Sequence, residues 1–374
     1  MTTISQIRVS SHCNDLGGKI WNPAIRWTQK YAVFVEIVDS SGQVGLGECW
    51  CFDTAPDALM AFLRTEVIPH FVGIPVEDAF DVAQQQIVRA TLTARHGMLM
   101  SALSGIDIAI WDLKAQSSDL PLWQTIDPNA GGEFQLYGSG GLYGQQKTLQ
   151  DLQVEMRSMA DAGFQILKMK VGALSIEDDV KRVMAALDSL PEPYKLIVDG
   201  VYKYSADQAL RLFDALPRHR IEAFQSPVAA HDYAGMATLV KHGVPVMATE
   251  AEYRDELHQK LVEDVRVPFL QTAPVAVGGI SRVQELQRLI ANSETRLTLE
   301  VSSTSVALVA ACHLAAASKD IAHVERHYVH QVFFEQLNFV SSPDFPGQFS
   351  LPKVSGLGCF LPKDQVTVHF ETTH

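Results

Sequence analysis

From about residue 137 onward the sequence repeats one unit, a short apolar strand, a loop and an amphipathic helix. The strand ends fall near Tyr137, Lys170, Asp199, Gln225, Glu250, Gln271, Glu300 and Glu325. Successive ends lie about 21 to 33 residues apart, the length of one strand–helix unit of a parallel barrel. Eight such units predict a closed α/β barrel of the TIM type. An open doubly wound sheet would require a Gly-rich phosphate turn after an early strand. Gly138-Ser139-Gly140-Gly141 lacks the GxGxxG spacing, and no acidic partner stands at the expected distance.

Ahead of the barrel, alternating apolar residues over 31–38, the turn Asp39-Ser40-Ser41-Gly42 and a second strand ending near Glu48 predict a hairpin. Between about 55 and 116 the apolar period changes to 3.6, so the meander packs on helices as an α+β cap. The turn-rich joint Pro128-Asn129-Ala130-Gly131-Gly132 separates cap from barrel, giving a capping domain over 1–126, a barrel over 127–330 and a tail over 331–374. A chain of 374 residues with 47% hydrophobic content can bury both cores. Its 30 basic and 43 acidic side chains leave a formal charge of −13, which repels nucleic acid and anionic lipid. No basic stretch leads into an apolar run at the N-terminus, and no apolar segment is long enough to cross a bilayer, so a cytoplasmic location is expected. Cys49 and Cys51 have neither redox nor zinc-knuckle spacing and read as buried side chains.

Barrel enzymes carry their working side chains at the C-terminal ends of strands, and here those ends are strongly polar. Lys168 and Lys170 stand at alternate positions of one strand and project from the same face. Crowding two ammonium groups lowers the pKa of one, fitting it to act as a general base; the same spacing also suits a pair of surface lysines. Asp199 and Glu250 close apolar strands, with the amide of Gln225 between them. Oxygens held this way suit Mg²⁺, although each carboxylate alone could equally cap the following helix.

Several ordered elements resemble the mandelate racemase/muconate lactonizing family of the enolase superfamily, over residues 31 to 325. They are Gly45-Leu46-Gly47-Glu48-Cys49, the helix over 104–114, Lys168-Met169-Lys170, Val198-Asp199-Gly200, His231-Asp232-Tyr233, Val277-Gly278-Gly279-Ile280 and the helix over 310–317. The resemblance implies a (β/α)₇β modified TIM barrel under an N-terminal α+β capping domain, with the C-terminal tail returning to the cap. It also implies a small carboxylate substrate, Mg²⁺ at Asp199, Gln225 and Glu250, and Lys170 as base assisted by Lys168. Loops near 11–28 and 49–54 would close over the substrate, and a homo-oligomer is usual. Trp21, Trp50 and Tyr137 are candidate substrate-binding residues, each with plain packing as its alternative.

Two departures bear on the reaction. The family's second metal ligand is Glu, where this chain has Gln225, so the site loses a negative charge and magnesium affinity should fall. On the far side of the mouth the family supplies a Lys before the Gly-Gly pair, or a His oriented by an Asp. Here Ala276, Glu300 and Ala273 occupy those three positions in turn. A single base favours elimination, hence dehydration of a hydroxy or sugar acid. Glu300, if burial raises its pKa, would act as an acid on the other face and restore racemase, epimerase or cycloisomerase chemistry. A catalytically altered, carboxylate-binding barrel is the reading from another class, and metal binding at Gln225 separates it from an enzyme.

Overall fold

Strands of three to seven residues, almost wholly buried, alternate with helices around a closed parallel barrel. The computed structural model describes residues 2–51, 56–93, 96–330, 351 and 353–373. In chain order the strands are β1 (Ile4–Trp21), β2 (Arg26–Asp39), β3 (Val44–Cys49), β4 (Leu136–Ser139), β5 (Tyr143–Gly144), β6 (Ile166–Lys170) and β7 (Lys195–Asp199). They continue with β8 (Ile221–Gln225), β9 (Val246–Ala248), β10 (Phe269–Thr272), β11 (Arg296–Leu299), β12 (Ile321–His327) and β13 (Thr367–Thr373). The barrel closes in the order β4-β6-β7-β8-β9-β10-β11-β12, with eight strands as the repeat requires. Tyr137, Ile166, Ile197, Ala223 and Met247 form an apolar cluster of their own, contributed by five different strands. Outside, helix Ile176–Asp188 starts on Ser175, whose hydroxyl accepts from Asp178 N, and helix Ala206–Asp214 starts on a Ser205/Gln208 capping box.

The cap sheet runs β13-β1-β2-β3 and is antiparallel. The expected hairpin is β2–β3, turning at Asp39-Ser40-Ser41-Gly42. Residues 11–28, expected as a loop, are instead mostly the outer end of a β1–β2 arm that turns over 22–25. Alternating exposure from Cys13 to Lys19 marks a two-sided strand there, and a register shift between Asp15 and Ile20 kinks it. Of the second expected loop, 49–54, residues 52–54 lie outside the described residues. The tail's β13 pairs with β1, which returns it to the cap. Among the described residues no helix is long and apolar enough to cross a membrane. Cys49 and Cys51 are both buried.

Cap and barrel are joined by the motifs that carried the resemblance. A Cβ on Gly47 would sit 1.9 Å from Gly105 O, so the Gly45-x-Gly47 pattern lets helix His96–Ser117 lie backbone against backbone on β3. Buried Glu48 accepts from Ser303 Oγ, from Thr304 Oγ1 at 2.5 Å and from Ala307 N at 3.1 Å, and so reaches the first turn of the fully buried helix Ser305–Ala316. His313 accepts from Trp123 N through Nδ1 and sits 3.1 Å from Leu357 O through Nε2, a structural use of both ring nitrogens. Gly279, at φ 87°, leaves room for Asp107: a Cβ there would lie 2.3 Å from Asp107 Oδ1.

Asp107 accepts from Ser281 N, yet burial outweighs that bond and pushes its carboxyl up to about 7. The native state therefore keeps a proton that the unfolded chain loses near pH 4, and stability falls as pH rises from about 4 to about 7. Asp107→Asn removes this slope. The variant should gain about 2–4 kcal/mol relative to the parent between pH 4.5 and pH 7.5 in urea unfolding. Parallel pH profiles for the two proteins would contradict it.

Candidate active site

Strand register brings the working side chains to one level. Lys170 is the Cα partner of Asp199, and Asp199 of Gln225, across three adjacent parallel strands. Lys168, two residues earlier on the same face, lies one layer deeper. Lys170 Nζ donates to Asp199 Oδ2 at 2.5 Å. Lys168 Nζ stands 2.5 Å from Glu325 Oε1 and 3.8 Å from Asp199 Oδ2, and donates to Gln225 Oε1 at 3.1 Å. Gln225 Nε2 in turn donates to Glu250 Oε1 at 2.8 Å. The result is a continuous chain of ion pairs and hydrogen bonds from Lys170 to Glu250.

The backbone is strained around it. Ser226 (φ 44°) follows Gln225, Thr249 (φ 64°) precedes Glu250, and Val201 (φ 47°) and Tyr202 (φ 60°) follow Asp199 closely. Left-handed non-glycine residues are costly, and here they gather beside the three oxygen-bearing side chains.

The electrostatics correct one expectation. Burial alone would lower the Lys168 ammonium, but the carboxylates of Glu325, Asp199 and Glu250 outweigh it and raise its pKa. Lys168 is therefore not the lysine that crowding depresses, because carboxylates outnumber lysines around it. Glu325, paired with Lys168, is lowered despite burial. Glu250, partly buried at the rim, is raised by desolvation and by the charge of Asp199, against the pull of Lys170 and Lys168.

Two carboxylates and an amide carbonyl form an oxygen donor set suited to a hard divalent cation. The 2.8 Å between the Gln225 amide and Glu250 is close to the spacing of neighbouring oxygens around Mg²⁺, about 3 Å for bonds of about 2.1 Å. As placed, the amide turns its nitrogen to Glu250 and its oxygen to Lys168; rotating it about its last bond presents the oxygen instead. The residues fit the ion with that one change. Among the described residues no three His, Cys, Asp or Glu side chains form a metal cluster, since the middle member here is an amide.

On the far side of the mouth, Glu300 follows β11 and is buried, its Oε2 without a hydrogen-bond partner among the described residues. Burial, then the charges of Glu325 and Glu250, push its carboxyl well above the usual range, against the ammonium groups of Lys168 and Lys30. The shift favours its protonated form. Trp50 covers Ala273, Ala276 and Val277, where the family's far-side groups would stand. Tyr137 lies at the barrel's interior, its hydroxyl accepting from Gln271 Nε2 and its ring 5.5 Å below Lys168 Nζ, so it packs under the lysines rather than at the mouth. Trp21 is at the rim, stacked on Tyr143 at 6.5 Å with the Arg26 guanidinium 4.3 Å from its ring centroid. Among the described residues its ring contacts are to Tyr143 and Arg26, on the cap side of the mouth.

Three residues at the site escaped sequence reasoning. Tyr202 faces Glu250 and Asp199, its hydroxyl raised well above its usual pKa first by burial. His327, two residues past Glu325 on β12, is held well below its usual pKa by burial and by Lys170, Lys168 and Lys30. Lys30, on β2 of the cap, is 1% exposed, which a lysine at a strand position does not announce in sequence.

Residues 24–126 match the N-terminal domain of mandelate racemase/muconate lactonizing enzymes, and residues 151–365 match the enolase C-terminal domain-like family. Arabinonate dehydratase of Saccharolobus solfataricus is 26% identical over 76% of this chain and 76% of its own length. D-galactarolactone cycloisomerase of Agrobacterium fabrum is 25% identical over 92% of each chain. Among solved structures, L-talarate/galactarate dehydratase from Salmonella typhimurium, liganded with Mg and L-lyxarohydroxamate, superposes with a TM-score of 0.87 over 100% of this chain and 95% of that one, at 21% identity.

Proposed function

This chain belongs to the mandelate racemase/muconate lactonizing enzyme family of the enolase superfamily, and we propose that it removes the α-proton of a small carboxylate, dehydrating a hydroxy or sugar acid. The observation that carries this reading is the level arrangement of Lys170, Asp199 and Gln225 on three adjacent strands, linked onward to Glu250. Lys170 takes the α-proton. Lys168, held protonated by Glu325 and Asp199, places positive charge beside it. Asp199, Gln225 and Glu250 would hold Mg²⁺, which when bound supplies further positive charge for the carboxylate whose α-carbon is deprotonated. Trp21 and Trp50, at the rim and over the far side, border the substrate. The names of relatives, arabinonate dehydratase and L-talarate/galactarate dehydratase, support a sugar acid.

A second reading, epimerase or cycloisomerase, is favoured by the raised pKa of Glu300, which makes it a proton donor on the other face. The hydrogen bond that Gln225 Nε2 donates to Glu250 Oε1, which turns the amide nitrogen into the metal position, favours the carboxylate-binding barrel. A capping domain over 1–126, a barrel over 127–330 and a tail over 331–374, assembled as a cytoplasmic homo-oligomer, complete the reading. The formal charge of −13 supports the absence of nucleic-acid and membrane partners.

The test is incubation in D₂O with a panel of sugar, hydroxy and amino acids that includes arabinonate and galactarate, with and without Mg²⁺. Metal-dependent 2-oxo acid formation is the expected result. Deuteration with inversion and no elimination would move the assignment to epimerase. No exchange together with no Mg²⁺ binding would sink the enzyme reading and leave the binding barrel.

A further inference from the structure

The far side of the mouth lacks the family's lysine and histidine, but it does not lack a cation. Lys30 leaves the cap on β2 and ends with its Nζ 5.3 Å from the centroid of the Trp50 ring. That ring packs on Ala273, Ala276 and Val277, so a single aromatic ring links the ammonium to the turn whose own lysine position is Ala276. Its charge acts on Glu300 after the seventh barrel strand and on His327 at the end of the eighth. Lys168 and Lys170 come from the second barrel strand, and their partners Asp199 and Glu325 from the third and the eighth. Lys30 is 1% exposed, and the face it reaches is the one where this chain has lost its expected group.

We propose that Lys30, delivered by the cap, is the second acid–base group of the site, acting on the substrate face opposite Lys168 and Lys170. The inference rests on the α-proton chemistry proposed above and assigns its second proton transfer. In dehydration the α-C–H bond breaks and its proton goes to the amine of Lys170. The electron pair left at the α-carbon becomes the Cα=Cβ bond as the Cβ–O bond breaks. The Lys30 ammonium gives its proton to the departing hydroxyl, which leaves as water, and the enol tautomerises to the 2-oxo acid. Exchange with solvent then returns a proton to Lys30 and removes one from Lys170. The site is thus complete only when cap and barrel are docked, which gives the Glu48 and Asp107 contacts a consequence for chemistry as well as for folding.

The experiment separates the two proton transfers. With α-deuterated galactarate and arabinonate, loss of the label to solvent reports Lys170, and 2-oxo acid formation reports the departure of water. Lys30→Met should wash out label within about threefold of the parent's total rate of α-C–D cleavage while forming 2-oxo acid about 10²-fold more slowly. Lys30→Arg keeps the cation but cannot release its proton near neutral pH, so it should show the same split. It also carries the test should Lys30→Met fail to fold. Elimination restored by Lys30→Arg would overturn the proposal in favour of charge alone. Washout falling in step with elimination would overturn it in favour of a positioning role. A parent protein that neither exchanges nor eliminates would remove the underlying function, and this inference with it.

Discussion

Lys170→Met should lower α-proton exchange by at least about 10³-fold while leaving substrate binding within about tenfold. The side chain removed is the one whose Nζ bonds Asp199 Oδ2 at 2.5 Å at the level of Gln225. Its neighbour cannot substitute. Lys168 lies deeper, is engaged by Glu325, Asp199 and Gln225, and has its pKa raised by the carboxylates, so it keeps its proton when a base is needed. Lys170→Arg should fail nearly as badly, because a guanidinium stays protonated. Exchange in D₂O, binding by calorimetry and thermal unfolding together identify the role. A base lost from an intact site leaves binding and melting little changed, whereas a structural lysine takes all three down together. Exchange that survives Lys170→Met at the parental rate would move the base to another residue, with Lys30 the first to test.

How much of this was legible in the sequence follows from how local each signal is. The barrel was readable because parallel strands buried on both faces appear as short apolar runs, and their polar last residues mark the mouth: Lys170, Asp199 and Gln225 each end a strand. Glu300 was readable as an oddity at a place where a histidine was expected, and its burial then supplied the raised pKa. The β1–β2 arm was not readable as a strand. Asn14-Asp15-Leu16-Gly17-Gly18 has the composition of a turn; Asn14 and Asp15 pair with Lys30 and Gln29 of β2, and the left-handed Gly17 and Gly18 fall in the register shift before Ile20 resumes the pairing. Lys30 was hidden for a different reason. On a two-sided cap strand a lysine normally marks the solvent face, and only the docking of the barrel makes that face an interior. Contacts between distant segments set the sense of Lys168 too: Glu325 is 157 positions away in sequence (325 − 168), so crowding by Lys170 was visible while the opposing carboxylates were not.

The same long-range electrostatics give the other large effect. Gln225→Glu should tighten Mg²⁺ binding by roughly 10²- to 10³-fold, since a third carboxylate would join Asp199 and Glu250 around a hard cation. Without the ion the change should be harmful. Gln225 Nε2 now donates to Glu250 Oε1 at 2.8 Å, and a carboxylate in its place brings two like charges to that separation in a site where Glu250 is already raised by Asp199. Melting of the metal-free variant should therefore fall below the parent, and added Mg²⁺ should raise it above the parent's response. Lys168, which donates to Gln225 Oε1 at 3.1 Å, would hold one of the new oxygens and limit the loss. Calorimetric titration and melting curves with and without Mg²⁺ read both effects without reference to turnover. A variant whose affinity for Mg²⁺ equals the parent's would place Gln225 outside the metal's ligands. Tighter binding would mean that the amide sets the affinity of a site built for the ion, with Asp199 and Glu250 already positioned to receive it.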